Sequence, residues 1–297
     1  MSWRQLLREI TEQLMTAGVP SPRADAEQLA AHASGAPRSR VRLWAAVSDP
    51  VSDEVVAAVR ALAERRARRI PLQYLTGVAP FLSLTLEVGP GVLIPRPETE
   101  LLAQAAIRAA ERFEHPHVVD VGTGSGAIAL AVATALPQAR VTALEPDAIA
   151  YTWAAHNLRR FPDAHVTLHR AAAADLPALA GAGADVVVSN PPYLPDEETP
   201  LDPEVRDFDP TGALFGGPDG LDVIREVISA GSAVLTPLGV LLCEHTEDQG
   251  ERVRALCAEA GLSSALTHPD LTGRDRFTAA SHVPVDTMTA TRSEVPA

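Results

Sequence analysis

From about residue 99 the sequence alternates short apolar runs with stretches of helical period, and this alternation leaves few folds open. Apolar runs at 117–122, 140–145, 165–171, 185–190 and 239–245 are the strand candidates, with helical stretches between the first four and before the last. Short apolar runs bounded by turn residues read as buried strands, and strands separated by helices are joined by crossovers that lay them parallel. Two more segments, near 264–269 and 275–281, follow Gly261 and read as a final antiparallel pair. The expected fold class is therefore α/β, a mostly parallel sheet with helices on both faces. Thr99 is placed to cap the helix that opens it, through Leu101, Leu102, Ala105 and Ile107.

The residues before this are different. Trp3, Leu6, Leu7, Ile10 and Leu14 recur at helical spacing, and Gly18 stops the run. Ser21 and Pro22 fit an N-cap and first helical position, for a helix running to about Gly35. A short helix near 40–47 follows. Ser52 caps a longer one, with Asp53 and Glu54 in its first turn and Arg65, Arg66, Arg68 and Arg69 in its last, as the helix dipole favours; Pro71 ends it. The arginine run fits a solvated helix end or a partner-binding patch. Residues 1–72 read as a small helical domain and 73–98 as a linker. In that linker 81–88 alternates like one half of a β-hairpin, and 89–100 is a proline- and glycine-rich loop that either lines a site or merely connects. From 284 the tail has no apolar period and is expected to be disordered.

Charge narrows the partners. The 297 residues carry a net charge of −13, which disfavours broad adhesion to nucleic acid or anionic membrane. Residues 1–80 hold 11 arginines against 8 acidic side chains, leaving 14 against 30 in the remainder. Two scattered cysteines, Cys243 and Cys257, fit a reducing cytosol and lack metal spacing. No apolar run reaches the ~18 residues that span a bilayer, and Met1-Ser2-Trp3-Arg4-Gln5 does not open a signal peptide, so a cytoplasmic protein without membrane or metal is expected.

The first strand of the alternating region leads into Asp120-Val121-Gly122-Thr123-Gly124-Ser125-Gly126 and then a helix. Glycines at such a turn let a ligand lie against the backbone and meet the helix N-terminus. Their every-other-residue spacing departs from the dinucleotide fingerprint. Asp120 would repel a pyrophosphate and welcome a sulfonium or amino group. Glu145, ending the second strand, is placed to bind ribose hydroxyls. Together these favour S-adenosylmethionine. After the third strand, Asp175 fits either an acceptor for the adenine amino group, with Leu176 packed on the ring, or a helix cap.

The fourth strand ends in Asn190-Pro191-Pro192-Tyr193. Neither proline donates a backbone N–H, and each residue before a proline is pushed toward extended geometry. The result is a stiff rim on which the Asn190 side-chain oxygen and the Pro191 carbonyl stand as adjacent acceptors. Such a pair suits a planar –NH2 group, whether an amide or an adenine. His245, at the end of the fifth strand, reads as a structural histidine tied to backbone.

The glycine loop with Asn190-Pro191-Pro192-Tyr193 resembles amino-methyltransferases that use S-adenosylmethionine. A wider set resembles one branch, the bacterial peptide-chain release factor glutamine methyltransferases. It comprises Gln73-Tyr74 with Gly77, the loop Ile94-Pro95-Arg96-Pro97-Glu98-Thr99-Glu100, Pro210 with Ala213-Leu214, Gly216-Gly217, Asp219-Gly220-Leu221, Glu244-His245 with Gln249, and Asp270-Leu271 with Gly273 and Arg276. The resemblance implies a Rossmann-like seven-stranded methyltransferase domain at 99–283, preceded by a small helical domain and a β-hairpin linker. It implies methylation of the side-chain amide nitrogen of the glutamine in a Gly-Gly-Gln motif, with the helical domain docking the release factor. The chain departs from the family where an aromatic often stands and Leu176 does here, and again at Val78-Ala79-Pro80.

The expected chemistry is positional. Asn190 and Pro191 accept the two N–H bonds of the glutamine amide, Pro192 stiffens the rim, and Tyr193 forms a wall. Arg96 and Glu98 either shape the substrate mouth or pair with each other. Two other readings share parts of this pattern. An adenine N6-methyltransferase on DNA or RNA would use the same rim but would need a basic groove for phosphates. A non-catalytic S-adenosylmethionine-binding scaffold would not need the rim intact.

Overall fold

The computed structural model describes residues 1–181 and 183–283; the tail expected from 284 lies outside them. The chain divides into two compact units. One comprises Met1–Ala79, Val88–Pro90 and Thr199–Asp209; the other comprises Pro80–Glu87, Gly91–Glu198 and the chain from Pro210 onward. The helical unit thus recruits a downstream segment that sequence boundaries at 72 and 98 did not include.

The helical unit contains α1 (Trp3–Thr16), α2 (Pro22–Ser34), α3 (Arg38–Val47), α4 (Asp53–Ala67) and α5 (Leu72–Thr76). Ser2 and Gln5 cap α1 reciprocally, and Trp3, Leu6, Ile10 and Leu14 form its buried face. The arginine run is split: Arg65 and Arg68 are exposed, as a solvated helix end would be, while Arg66 and Arg69 turn to acidic partners. Arg66 is buried and donates to Asp25 at 2.7 Å, to Glu204 at 2.6 Å and to the Ile70 carbonyl at 3.1 Å. Arg69 donates to Glu204 at 3.0 Å, so these two arginines hold the recruited segment. Removing Arg66 would strand the buried Asp25 carboxylate, a loss of about 3–5 kcal/mol. The helix α5 lies where the sequence suggested a plain connection; five residues are too few to show a period.

The hairpin is β1 (Val78–Phe81) and β2 (Leu84–Glu87). The alternating run at 81–88 is therefore the turn and return strand together, with Leu82 at φ +50° in the turn. Then follow α6 (Pro97–Ala110), β3 (His117–Val121), α7 (Ala127–Ala135), β4 (Arg140–Leu144), α8 (Ala148–Arg160), β5 (Val166–His169), α9 (Leu176–Ala180), β6 (Ala184–Ser189), α10 (Pro203–Phe208), α11 (Asp222–Val234), β7 (Leu235–Glu244), α12 (Gly250–Glu259), β8 (Ser264–Pro269) and β9 (Asp275–Ser281). Seven strands form one sheet in the order β5-β4-β3-β6-β7-β9-β8. β9 runs antiparallel to both β7 and β8, and the other pairings are parallel.

Strand residues alternate between two cores. Val118, Val186 and Val188 pack with Leu102, Ala105 and Leu130 of α6 and α7. Val119, Val121 and Val187 pack with Ile224, Val227 and Val253 of α11 and α12. Both sheet faces are covered, so the central strands carry consecutive apolar residues, as Val186-Val187-Val188 do. Among the described residues no helix is long and apolar enough to cross a membrane.

Candidate active site

Strand register gathers the site. Chain order reverses direction across the sheet between β3 and β6, and ligands in such sheets bind beyond the carboxyl ends at that point. Val121 is opposite both Leu144 and Ser189, and Ser189 is opposite Cys243. Gly122, Glu145, Asn190 and Glu244 are each one residue beyond a registered position, so four chain segments deliver them to one edge.

The glycine loop is stitched to that edge. Gly122 and Thr123 donate to the Leu144 carbonyl at 2.8 and 2.9 Å. Gly122, Gly124 and Gly126 have φ of +72°, +58° and +85°, a region side chains disfavour. A Cβ on Gly122 or Gly124 would enter open space, so what glycine provides there is an exposed backbone. Asp120 is fully buried beneath the loop. Its Oδ2 accepts from Thr123 Oγ1 at 2.6 Å and from Ala129 N at 3.0 Å, while Oδ1 has no partner. Burial pushes its carboxyl up to about 7. Asp120 thus braces the loop from below, through Thr123 and the first turn of α7. Ser125, also buried, offers its carbonyl to Asn157 Nδ2 at 2.9 Å.

Glu145 turns its two oxygens to backbone: Oε2 accepts from Gly124 N at 2.8 Å and Oε1 from Asp147 N at 2.9 Å. Burial raises its pKa against these bonds. Asp175 accepts from Ala172 N at 3.0 Å and is exposed. Leu176 has no exposed surface; its side chain belongs to the core with Leu221 and Ile224, so it presents no face for an adenine ring.

The rim is backed by residues that sequence spacing could not place. Tyr193 N and Leu194 N both donate to the Leu214 carbonyl, at 3.1 and 2.8 Å, and Gly216 N returns a bond to the Leu194 carbonyl at 2.9 Å. Gln249 Nε2 donates to the Tyr193 carbonyl at 2.9 Å. A Cβ on Gly216 would sit 2.5 Å from the Pro192 oxygen. Pro191 is buried, and Asn190, Pro192 and Tyr193 are half-buried.

Behind Asn190 stand Thr99 and Glu244. Thr99 is not a cap: Arg96 is the N-cap of α6 and Pro97 takes its first position, so Thr99 lies inside the helix and is buried. Asn190 Nδ2 donates to Thr99 Oγ1 at 3.0 Å, and Thr99 Oγ1 donates to Glu244 Oε2 at 2.9 Å. Tyr193 O–H approaches Glu244 Oε1 at 3.5 Å, the limit of hydrogen-bonding range. Burial pushes the Glu244 carboxyl up to about 7, and burial with the neighbouring Glu244 keeps the Tyr193 phenol well above its ordinary value. Arg96 and Glu98 are both close enough to act on the Tyr193 phenol electrostatically. His245 is fully buried, with Nδ1 on the Thr246 carbonyl at 2.7 Å and Nε2 on Thr278 Oγ1 at 2.9 Å, as a structural histidine would be.

Residues 5–77 match the family described as PrmC N-terminal domain, and residues 97–203 the Methyltransferase small domain. A release factor glutamine methyltransferase of Mycolicibacterium smegmatis is 44% identical over 281 residues, covering 94% of this chain and 98% of that protein. That of Streptomyces coelicolor is 44% identical, covering 93% and 97%. Among solved structures, a 16S rRNA methyltransferase of T. thermophilus with AdoMet and guanosine matches 69% of this chain and 50% of its own, with TM-score 0.52 and 21% identity. The hMettl16 catalytic domain matches 77% and 94%, with TM-score 0.53 and 12% identity. At those identities the likeness is one of fold.

Proposed function

The chain belongs to the release factor glutamine methyltransferase family, and from that premise we propose that it methylates the side-chain amide nitrogen of the glutamine in a release factor's Gly-Gly-Gln motif, with S-adenosylmethionine as donor. The observation that carries the reading is the hydrogen bond from Asn190 Nδ2 to Thr99, which commits Asn190 to offering its oxygen, beside the Pro191 carbonyl.

The residues present fit the donor. Two left-handed glycines with open space above them, Gly122 and Gly124, form a cradle that side chains would fill. Gly122, Thr123, Gly124, Ser125, Gly126 and Glu145 would hold the group, with Asp120 bracing the loop. When bound it supplies an electrophilic methyl on a positively charged sulfur.

The protein's own part concerns the nitrogen. An amide nitrogen is a poor nucleophile because its lone pair is delocalised into the carbonyl. Asn190 Oδ1 and the Pro191 carbonyl accept its two N–H bonds, fix its position and favour a pyramidal geometry in which the lone pair is available. Tyr193, protonated at all working pH, walls the glutamine side chain. Arg96 and Glu98 border the mouth, and the helical unit docks the release factor.

The test is to offer the protein labelled S-adenosylmethionine with, separately, a purified release factor, DNA and a small amide, and to map any label by mass spectrometry. Label on the Gly-Gly-Gln glutamine supports the reading. Label on adenine would replace it with the nucleic-acid one, which the 14 arginines against 30 acidic residues beyond residue 80 disfavour.

A further inference from the structure

We propose that Glu244, acting through Thr99, sets which end of the Asn190 amide faces the substrate. An asparagine amide can turn over and present either its oxygen or its NH2, and a hydroxyl beside it can satisfy both orientations by donating or accepting. What breaks this symmetry is the third group. The single Thr99 hydroxyl proton is committed to Glu244 Oε2 at 2.9 Å. An ionised carboxylate cannot donate. Thr99 Oγ1 is therefore acceptor-only toward Asn190, the atom at 3.0 Å must be Nδ2, and Oδ1 is the end left for the substrate.

When Glu244 takes up a proton from solvent, the polarity of the chain can reverse. The carboxylic acid donates to Thr99, Thr99 donates to Asn190 Oδ1, and the amide turns its NH2 to the substrate. Donor then meets donor and the glutamine amide loses an acceptor. Glu244 and Thr99 are positioning residues in this account; neither touches the substrate. The groups facing Glu244 are Thr99 and Glu98 from α6, Tyr193 from the rim and Arg276 from β9. Burial and Glu98 favour the protonated form, while Thr99, Arg276 and Tyr193 oppose it, and the balance puts its titration at about 7. The relay would therefore switch near neutral pH.

The consequence for turnover rests on the glutamine-methylation reading; the hydrogen-bond polarity does not, and it can be measured without substrate. The chain contains two asparagines, Asn157 and Asn190, so 15N-asparagine labelling gives two side-chain NH2 pairs by NMR. Asn157 is fully buried and donates to the Glu87 and Ser125 carbonyls, both at 2.9 Å, which makes it an internal reference for an intact fold. As pH falls through about 7 the Asn190 pair should move with one titration while the Asn157 pair stays. The titration should disappear in Thr99→Val and Glu244→Gln and persist in Thr99→Ser.

In turnover on a release factor, Thr99→Val should lower kcat by about a hundredfold and remove its acid limb, with cofactor affinity within a few-fold. Thr99→Ser should restore most of the rate. An Asn190 pair that does not titrate in the unmodified protein, or that titrates alike in Thr99→Val, overturns the proposal. Thr99→Val and Thr99→Ser decide it even where Glu244→Gln does not fold. Absence of any wild-type methylation of release factor would sink the methylation reading and leave the NMR result standing on its own.

Discussion

Gly220 lies so close against the carbonyl oxygen of Tyr193 that no side chain fits between them. Its φ of +71° adds a backbone reason for glycine. The Tyr193 carbonyl also receives Gln249 Nε2 at 2.9 Å, so the rim is held from behind by a loop and a helix that contribute nothing to the chemistry directly. Gly220→Ala should displace the rim, with kcat lowered about tenfold or more and calorimetric affinity for S-adenosylmethionine within a few-fold. The folded state should lose more than about 1 kcal/mol. Unchanged kcat would show that the rim's backbone position is not critical.

Glu145 should govern donor affinity and not the transfer step. It braces Gly124 and Asp147 through both oxygens. Glu145→Ala should weaken S-adenosylmethionine about 10- to 100-fold, the range for hydrogen bonds to a charged group, with kcat at saturating donor little changed. Isothermal calorimetry on the variant checks this, and unchanged affinity would remove Glu145 from the donor site.

The main elements were legible in the sequence because they rest on local pattern. Strand cores at 117–122, 140–145, 185–190 and 239–245 were bounded apolar runs, and the structure puts strands at each. What could not be read depends on register or on competition between neighbours. Thr99 resembles an N-cap before an apolar helix, but Pro97 claims the first helical turn and carries Thr99 inside. Glu244 lies within the apolar run at 239–245, yet its closeness to Asn190 follows from the pairing of Ser189 with Cys243, which no local pattern encodes. Leu176 sits in a short helix whose inward face became visible only once packed against α11. Arg66 looked like any arginine at a helix end, and its partner Glu204 lies 138 positions away.

The buried Asp120 carboxyl gives the fold a pH dependence of unusual sign. Its pKa is raised from 3.8 to about 7, so the folded chain binds a proton more tightly than the unfolded one. Its stabilising contribution is complete below about 4 and is lost as pH rises through about 7. Glu244, also raised to about 7, acts in the same direction. Melting temperatures between pH 4 and 8 should fall less steeply in Asp120→Asn than in the unmodified protein, both without donor. Parallel curves would mean that Asp120 titrates near its ordinary value.

The most direct measurement of the central claim is single-turnover methylation by Asn190→Ala with donor already bound and a purified release factor added. Methyl on the Gly-Gly-Gln glutamine should be undetectable over the time in which the unmodified protein completes transfer, while calorimetry gives donor affinity within a few-fold of normal. Transfer at close to the normal rate would contradict the assignment of Asn190 as the group that holds the glutamine nitrogen.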